Sequence, residues 1–238
     1  MRILWHSNAP WAPTGYGNQT NQFLWRLKAA GHEMFASNFW GLQGAPQRIN
    51  DVLMLPGGND GYGNDTLAAD ARYLSADIVI TLMDVWVLNP QMLRLLRWVP
   101  WLPIDHEPCP PMVREVLAAA AFMPIVYSRF GERMLQAEGI KCLYVPHGVD
   151  TQVMAPMDRA EARRKMKLPE DRFIVGAVMA NKGAPSRKAF DQQIRAFARF
   201  RERHSDALLY LHTAMNPGDG ENLYRLLDAA GLPQEAFA

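Results

Sequence analysis

The sequence predicts an α/β fold built on a parallel sheet, on three observations. The chain opens with a short apolar run, a glycine-bearing turn and an amphipathic stretch that ends on glycine before a second apolar run. Short, fully apolar runs then recur between helical stretches, as strands covered on both faces require. After a charged stretch beyond residue 150, the order strand, loop, helix begins again.

In chain order, Ile3 to Ser7 reads as the first strand, and Pro13-Thr14-Gly15-Tyr16-Gly17 as a loop. Asn18 to Ala30 reads as a helix with Phe23, Leu24 and Leu27 on one face. Gly31 closes it, and Glu33 to Trp40 reads as a second strand, giving a βαβ opening. Gly41 to Gly63 is turn-rich, with a strand at Val52 to Leu55 ahead of Pro56-Gly57-Gly58-Asn59. Strands follow at Ile78 to Met83, Val99 to Ile104, Met123 to Tyr127 and Cys142 to Val145. Helices fill Asn89 to Trp98, Met112 to Ala121 and Arg129 to Gly139, with another around Asp70 to Leu74.

The texture changes at Asp158 to Lys165, a charged run that reads as a short solvated helix after a linker. This sets a first domain at 1–150, a linker at 151–170 and the beginning of a second, similar domain at 171–238. In the last, Phe173 to Met179 and Ala207 to His212 read as strands. Lys188 to Arg203 and Glu221 to Ala230 read as helices. The apolar face of Phe190, Ile194 and Phe197 is expected to lack part of its cover, which implies self-association.

Composition narrows the function classes. Hydrophobic residues at 49% and charged residues at 21% give an ordinary globular balance, which excludes a disordered chain. Lys plus Arg at 25 nearly cancel Asp plus Glu at 24, so no net field draws the protein to nucleic acid. Cys109 and Cys142 lack metal spacing and read as buried thiols. The amino terminus carries neither a signal-peptide core nor a membrane span, which implies a cytoplasmic protein. Peripheral membrane contact through a surface patch stays open, given thirteen Met and seven Trp.

Four segments carry a resemblance. They are Met1-Arg2-Ile3-Leu4 leading to Thr14-Gly15-Tyr16-Gly17 and Ala30-Gly31-His32-Glu33; Ile104-Asp105-His106-Glu107; Tyr144-Val145-Pro146-His147-Gly148-Val149-Asp150-Thr151; and Phe173-Ile174-Val175-Gly176 followed by Ser186-Arg187-Lys188-Ala189-Phe190-Asp191. In this order they resemble the retaining nucleotide-sugar glycosyltransferases of the GT-B fold, in particular glycosyl transferases group 1, or family 4. The resemblance implies two Rossmann-like domains and transfer of a sugar from a nucleoside diphosphate sugar to an acceptor hydroxyl with retention. The acceptor is a saccharide, a lipid-linked sugar or another hydroxyl compound, and no cofactor beyond the donor is expected. Two departures stand out. Where the family has a Gly-Arg pair, this chain reads Met179-Ala180-Asn181-Lys182-Gly183, and the sequence ends before the family's Glu-x7-Glu segment, which suggests a truncated chain.

A departing diphosphate needs cations and backbone amides aimed at its oxygens. Lys182, Arg187 and Lys188 lie on a loop and the first helical turn of the second domain, where basic residues oppose the helix dipole. Diphosphate binding motivates them better than helix stability does. Gly15 and Gly17 let backbone amides approach a phosphate or sugar, or simply make a turn. His106, after an apolar strand, is the candidate catalytic residue that orients a sugar hydroxyl, with a strand-end cap as the alternative. Tyr16, Asp105, His147, Gly148 and Asp150 are the candidate acceptor-side or cleft-lining residues, and His147 and Gly148 could equally be hinge architecture. The second strand ends Ala36-Ser37-Asn38-Phe39-Trp40 without an acid for a ribose, which disfavours a nicotinamide-dependent oxidoreductase. A non-catalytic sugar or nucleotide-sugar binding module is the main alternative to an enzyme.

Overall fold

A computed structural model describes residues 1–238 and divides them into two compact units, Met1–Met154 and Ala155–Ala238. The first contains β1 (Arg2–Asn8), α1 (Gly15–Ala29), β2 (Glu33–Trp40), β3 (Gln47–Ile49), β4 (Val52–Leu55), α2 (Leu67–Tyr73) and β5 (Ile78–Leu82). It continues with α3 (Pro90–Leu93), β6 (Trp98–Leu102), α4 (Pro111–Ala120), β7 (Ile125–Val126), α5 (Arg129–Ala137) and β8 (Leu143–Tyr144). Eight strands form one sheet in the order β3-β4-β2-β1-β5-β6-β7-β8. Every pairing is parallel except β3 with β4, so seven carboxyl ends share one edge. β1 sends the chain to β2 on one side and receives β5 on the other, which makes the β1/β5 gap the topological switch point.

Apolar side chains alternate between two layers, as a sheet covered on both faces demands. Leu4, Leu67, Leu93 and Trp98 fill one, and Ile3, Trp5, Leu24, Met54 and Trp101 the other. The indole N–H groups buried with them find acceptors: Trp5 donates to Thr20 Oγ1 (3.1 Å), Trp98 to Thr81 Oγ1 (2.9 Å) and Trp101 to the Val145 carbonyl (3.1 Å).

The second unit holds α6 (Arg159–Lys165), β9 (Ile174–Val178), α7 (Phe190–Arg201), β10 (Leu208–His212) and α8 (Leu223–Ala229), with β9 and β10 parallel. The Arg172 guanidinium staples its far end, donating to the carbonyls of Asp206 (2.8 Å), Ala207 (2.8 Å) and Glu235 (2.6 Å). No helix in the chain is long and apolar enough to cross a membrane.

Several expectations are corrected. Gly15, Tyr16 and Gly17 are the first residues of α1, not a loop: the Thr14 hydroxyl caps the helix by accepting from the Gly17 N–H at 2.9 Å. The expected helix over 89–98 shrinks to Pro90–Leu93, because Trp98 belongs to β6. β3 was not foreseen, since Gln47-Arg48-Ile49 lacks alternation. Its signal was the turn, Asn50 and Asp51 at φ 47° and 60°, the left-handed geometry of a tight hairpin. Lys188 precedes α7, whose amino end is set by Ala189 in the left-handed region. The face of Phe190, Ile194 and Phe197 is covered after all, at 1%, 1% and 4% exposure, by β10 and α8. Exposed apolar groups of this unit lie elsewhere and include Phe173 and Val178, at the two ends of β9.

Candidate functional site

The carboxyl edge of the first unit gathers groups that are far apart in sequence. Tyr16, on the first turn of α1, reaches across the switch point to Asp84, just past β5, and to Tyr127, just past β7. Burial, then the Asp84 carboxylate, pushes the Tyr16 phenol far above its usual range. Burial and the two carboxylates Asp84 and Asp105 push Tyr127 up to about 12. Asp84 itself is raised by burial and by Asp105, against a lowering contribution from Tyr16. Each of these shifts comes from withdrawing a polar group from water beside a negative neighbour, so both phenols stay protonated hydrogen-bond donors at neutral pH.

The expected acceptor-side residues fall on the same edge. Asp105 and His106 follow β6, are largely exposed, and pair with each other through His106 Nδ1 and Asp105 Oδ1 at 2.6 Å. His147 follows β8 and packs on Tyr127 (ring centroids 4.1 Å apart) and Trp101 (5.1 Å). Its Nε2 is buried without a partner, and burial lowers its pKa. Gly148 is clamped by Gln19 of α1, which donates to its carbonyl at 3.0 Å and accepts from its N–H at 2.9 Å. Asp150 caps the following turn by accepting from the Gln152 N–H at 3.0 Å. Gly15 and Gly17 separate in role: a Cβ on Gly15 would meet nothing within 4 Å, whereas one on Gly17 would sit 2.2 Å from the Ala12 carbonyl oxygen.

Sequence reasoning missed Asp84, Tyr127 and Gln19. Asp84 had a readable signal, a single carboxylate directly after an apolar strand; the other two had none. It also missed Asn8, at the end of β1 and 7% exposed, whose Nδ2 donates to Thr14 Oγ1 at 2.7 Å while Oδ1 has no partner. Beneath the loop that follows β4 lies His6, fully buried, with Nε2 donating to the Tyr62 carbonyl (2.9 Å) and Nδ1 facing Ser37 Oγ (3.1 Å). Ser37 Oγ in turn lies 3.1 Å from Asp70 Oδ2. Burial lowers His6 to about 4, which keeps its imidazole neutral at neutral pH, and burial raises Asp70 against the lowering effect of the Ser37 hydroxyl.

In the second unit, Lys182, Arg187 and Lys188 all lie on the loop leaving the carboxyl end of β9. Lys182 and Arg187 are exposed and Lys188 is half-buried; none pairs with a carboxylate. The loop is held by buried Asn181, whose Nδ2 donates to the carbonyls of Ala214 (3.0 Å) and Glu221 (2.7 Å). Its Oδ1 accepts from the Glu221 N–H at 3.0 Å, and the Gly183 N–H donates to the Asp219 carbonyl at 2.6 Å. The loops after β9 and β10 are thereby locked together beside three unpaired cations. Thr213 Oγ1 and Glu221 Oε2, in the β10 loop, are buried without partners.

The Rossmann-like parallel sheet has a GT-B-like fold, shared with solved structures. The chain is similar to a glycosyltransferase from Rickettsia africae ESF-5 (TM-score 0.64, 14% identity, 100% of this chain and 67% of that one). It is similar to a UDP-GlcNAc 2-epimerase from Neisseria meningitidis bound to UDP-GlcNAc (TM-score 0.61, 10% identity, 99% and 73%). It also resembles an alpha,alpha-trehalose-phosphate synthase (UDP-forming) from Burkholderia vietnamiensis (TM-score 0.58, 14% identity, 97% and 67%). No family model matches the sequence, and no curated protein does. At these identities the likeness is one of fold.

Proposed function

We propose that the chain serves transfer of a sugar from a nucleoside diphosphate sugar to an acceptor hydroxyl, with retention of the anomeric configuration. The observation that carries this is the cluster of Tyr16, Asp84 and Tyr127 at the switch point of a GT-B-like sheet. Open α/β sheets bind ligands at that place. In this reading the first unit is the acceptor side, with His106 and Asp105 orienting the reacting hydroxyl and Asp150 and Gly148 shaping the exit from β8. The second unit is the beginning of a further Rossmann-like domain and the donor side. Lys182, Arg187 and Lys188 neutralise the diphosphate as its charge grows, which an Arg does with two parallel donors and a Lys as a point charge.

The test is incubation of the full chain with a panel of nucleoside diphosphate sugars and hydroxyl acceptors, following free nucleoside diphosphate and glycosylated product. Product that disappears in Lys188→Ala supports the proposal; saturable acceptor binding without turnover by any donor supports a non-catalytic binding module instead. The likeness to a 2-epimerase motivates a second reading, an isomerase acting on the nucleotide sugar itself. Conversion of UDP-GlcNAc to its C2 epimer with no acceptor present would favour it.

A further inference from the structure

The charge of the first unit's carboxyl edge is one-sided, although the chain as a whole is balanced at 25 basic and 24 acidic residues. The segments leaving β1, β2, β4, β5, β6, β7 and β8 carry Asp60, Asp65, Asp84, Asp105, Glu107 and Asp150, and contain no Lys or Arg. The nearest guanidinium in sequence, Arg129 at the start of α5, is already bound to Glu132 (2.6 Å) and stacked over Tyr144 (3.8 Å to the ring centroid). A phosphate placed here would find carboxylates and no cation. Even in a water-like dielectric, two like charges about 4 Å apart repel by roughly a fivefold factor in affinity, and partial burial increases it.

The same edge is well made for an uncharged polyol. The indoles of Trp11, Trp40 and Trp86 are 45%, 48% and 56% exposed; Trp40 ends β2, and Trp11 and Trp86 stand on the segments after β1 and β5. Flat apolar rings with a polar rim suit the C–H face of a pyranose. The loops are tied in two pairs: Trp11 Nε1 donates to the Gly41 carbonyl at 2.6 Å, joining the β1 and β2 loops, while Asn64 Nδ2 donates to the Val87 carbonyl at 3.0 Å and the Asn89 N–H to Asn64 Oδ1 at 2.7 Å, joining the β4 and β5 loops. An independent sign of a missing partner is Asn8, at the end of β1 beside the switch point. Its buried side-chain amide satisfies only one of its two ends, and turning the amide over merely changes which end is left. Such a group is normally paired, and a ligand hydroxyl can pair with either end.

We propose that the acceptor taken at this edge is an unphosphorylated saccharide, hydrogen-bonded by Asp84, Tyr16 and Tyr127 and stacked on the Trp86 indole, and that the acidic rim rejects phosphorylated sugars. The proposal rests on the reading of this edge as the acceptor side. It sets aside a nucleic acid, an anionic membrane surface and a diphosphate-linked lipid at this place, because each would bring phosphate against the six carboxylates.

The experiment is intrinsic tryptophan fluorescence titration of the full chain with pairs differing only in a phosphate: glucose and glucose 6-phosphate, N-acetylglucosamine and its 6-phosphate, with maltose and cellobiose as longer neutral probes. Saturable quenching by neutral sugars is expected, with the phosphate lowering affinity tenfold or more and added salt narrowing the gap. Trp86→Ala should weaken neutral binding at least fivefold with an unchanged circular dichroism spectrum, and Asp84→Asn should narrow the phosphate gap. Equal or tighter binding of the phosphorylated partners overturns the proposal, as does the lack of a saturable response to every sugar. UDP-glucose binding, measured in parallel on the wild type and Lys188→Ala, reads the donor side separately. Its failure counts against sugar transfer, whereas failure of the sugar titration alone counts only against this acceptor class.

Discussion

Alanine at Gly15 and alanine at Gly17 should change stability in opposite directions, although the two residues stand on the same helical turn. At Gly17 an added Cβ would lie 2.2 Å from the Ala12 carbonyl oxygen and 3.0 Å from the Ala12 carbonyl carbon and Cβ. Ala12 cannot retreat freely, because its N–H donates to the Ala9 carbonyl (2.9 Å) and its carbonyl accepts from the Thr14 N–H (2.7 Å). Overpacking of this kind costs about 1–3 kcal/mol, and a backbone obstacle places it at the upper end. At Gly15 no atom lies within 4 Å and the backbone is already helical, so alanine only restricts the unfolded chain, a gain of about 0.4–1 kcal/mol. With roughly 2–4 °C per kcal/mol for a chain of this size, Gly15→Ala should melt a few degrees higher and Gly17→Ala about 4–10 °C lower. Thermal unfolding followed by far-ultraviolet circular dichroism gives the comparison. Shifts of the same sign, or a neutral Gly17→Ala, would refute the reasoning.

The remaining predictions are smaller in scope. Gln19→Ala removes both partners of Gly148 and should destabilise the first unit by about 1–3 kcal/mol, read as a lower urea midpoint. His6 has a folded pKa near 4 against 6.5 for the free side chain, so the unfolded chain takes up its proton first. Its contribution is present above about pH 6.5 and lost as pH falls towards 4, by roughly 3 kcal/mol in all. Asp70, raised on folding, acts in the opposite sense at the acid end, so urea midpoints should drop as pH falls from about 6.5 towards 4, with the drop partly offset at the acid end. His6→Asn should flatten that drop, and an unchanged pH profile in the variant would count against it. Arg172→Ala strips three carbonyls of their donor and should cost the second unit about 2 kcal/mol, seen as faster amide exchange in β10.

Much of the fold was legible because its strands are buried on both faces and therefore uninterrupted in their apolar character. β1, β2, β5 and β6 lie within a residue or two of the expected runs. What was not legible depended on other signals. β3 exists because of the Asn50-Asp51 turn and not because of its own residues, and the helix after Asn89 stops short because β6 claims Trp98. Motifs located the loops that carry Asp105, His106, His147 and Lys182. They could not show that Tyr16 meets Asp84 and Tyr127, since that contact arises only when the crossover between β1 and β5 brings distant strand ends together. The glycine pair was read as one device, but only Gly17 is required by packing.

Binding of UDP-glucose by the full chain, measured by isothermal titration calorimetry at low and high salt, tests most directly whether the β9 loop holds a donor diphosphate. The expected result is saturable binding that weakens with salt and falls roughly tenfold or more when Lys182, Arg187 or Lys188 becomes alanine, each having lost a charge-assisted contact. Binding that is indifferent to all three substitutions, or no binding at all, would contradict it.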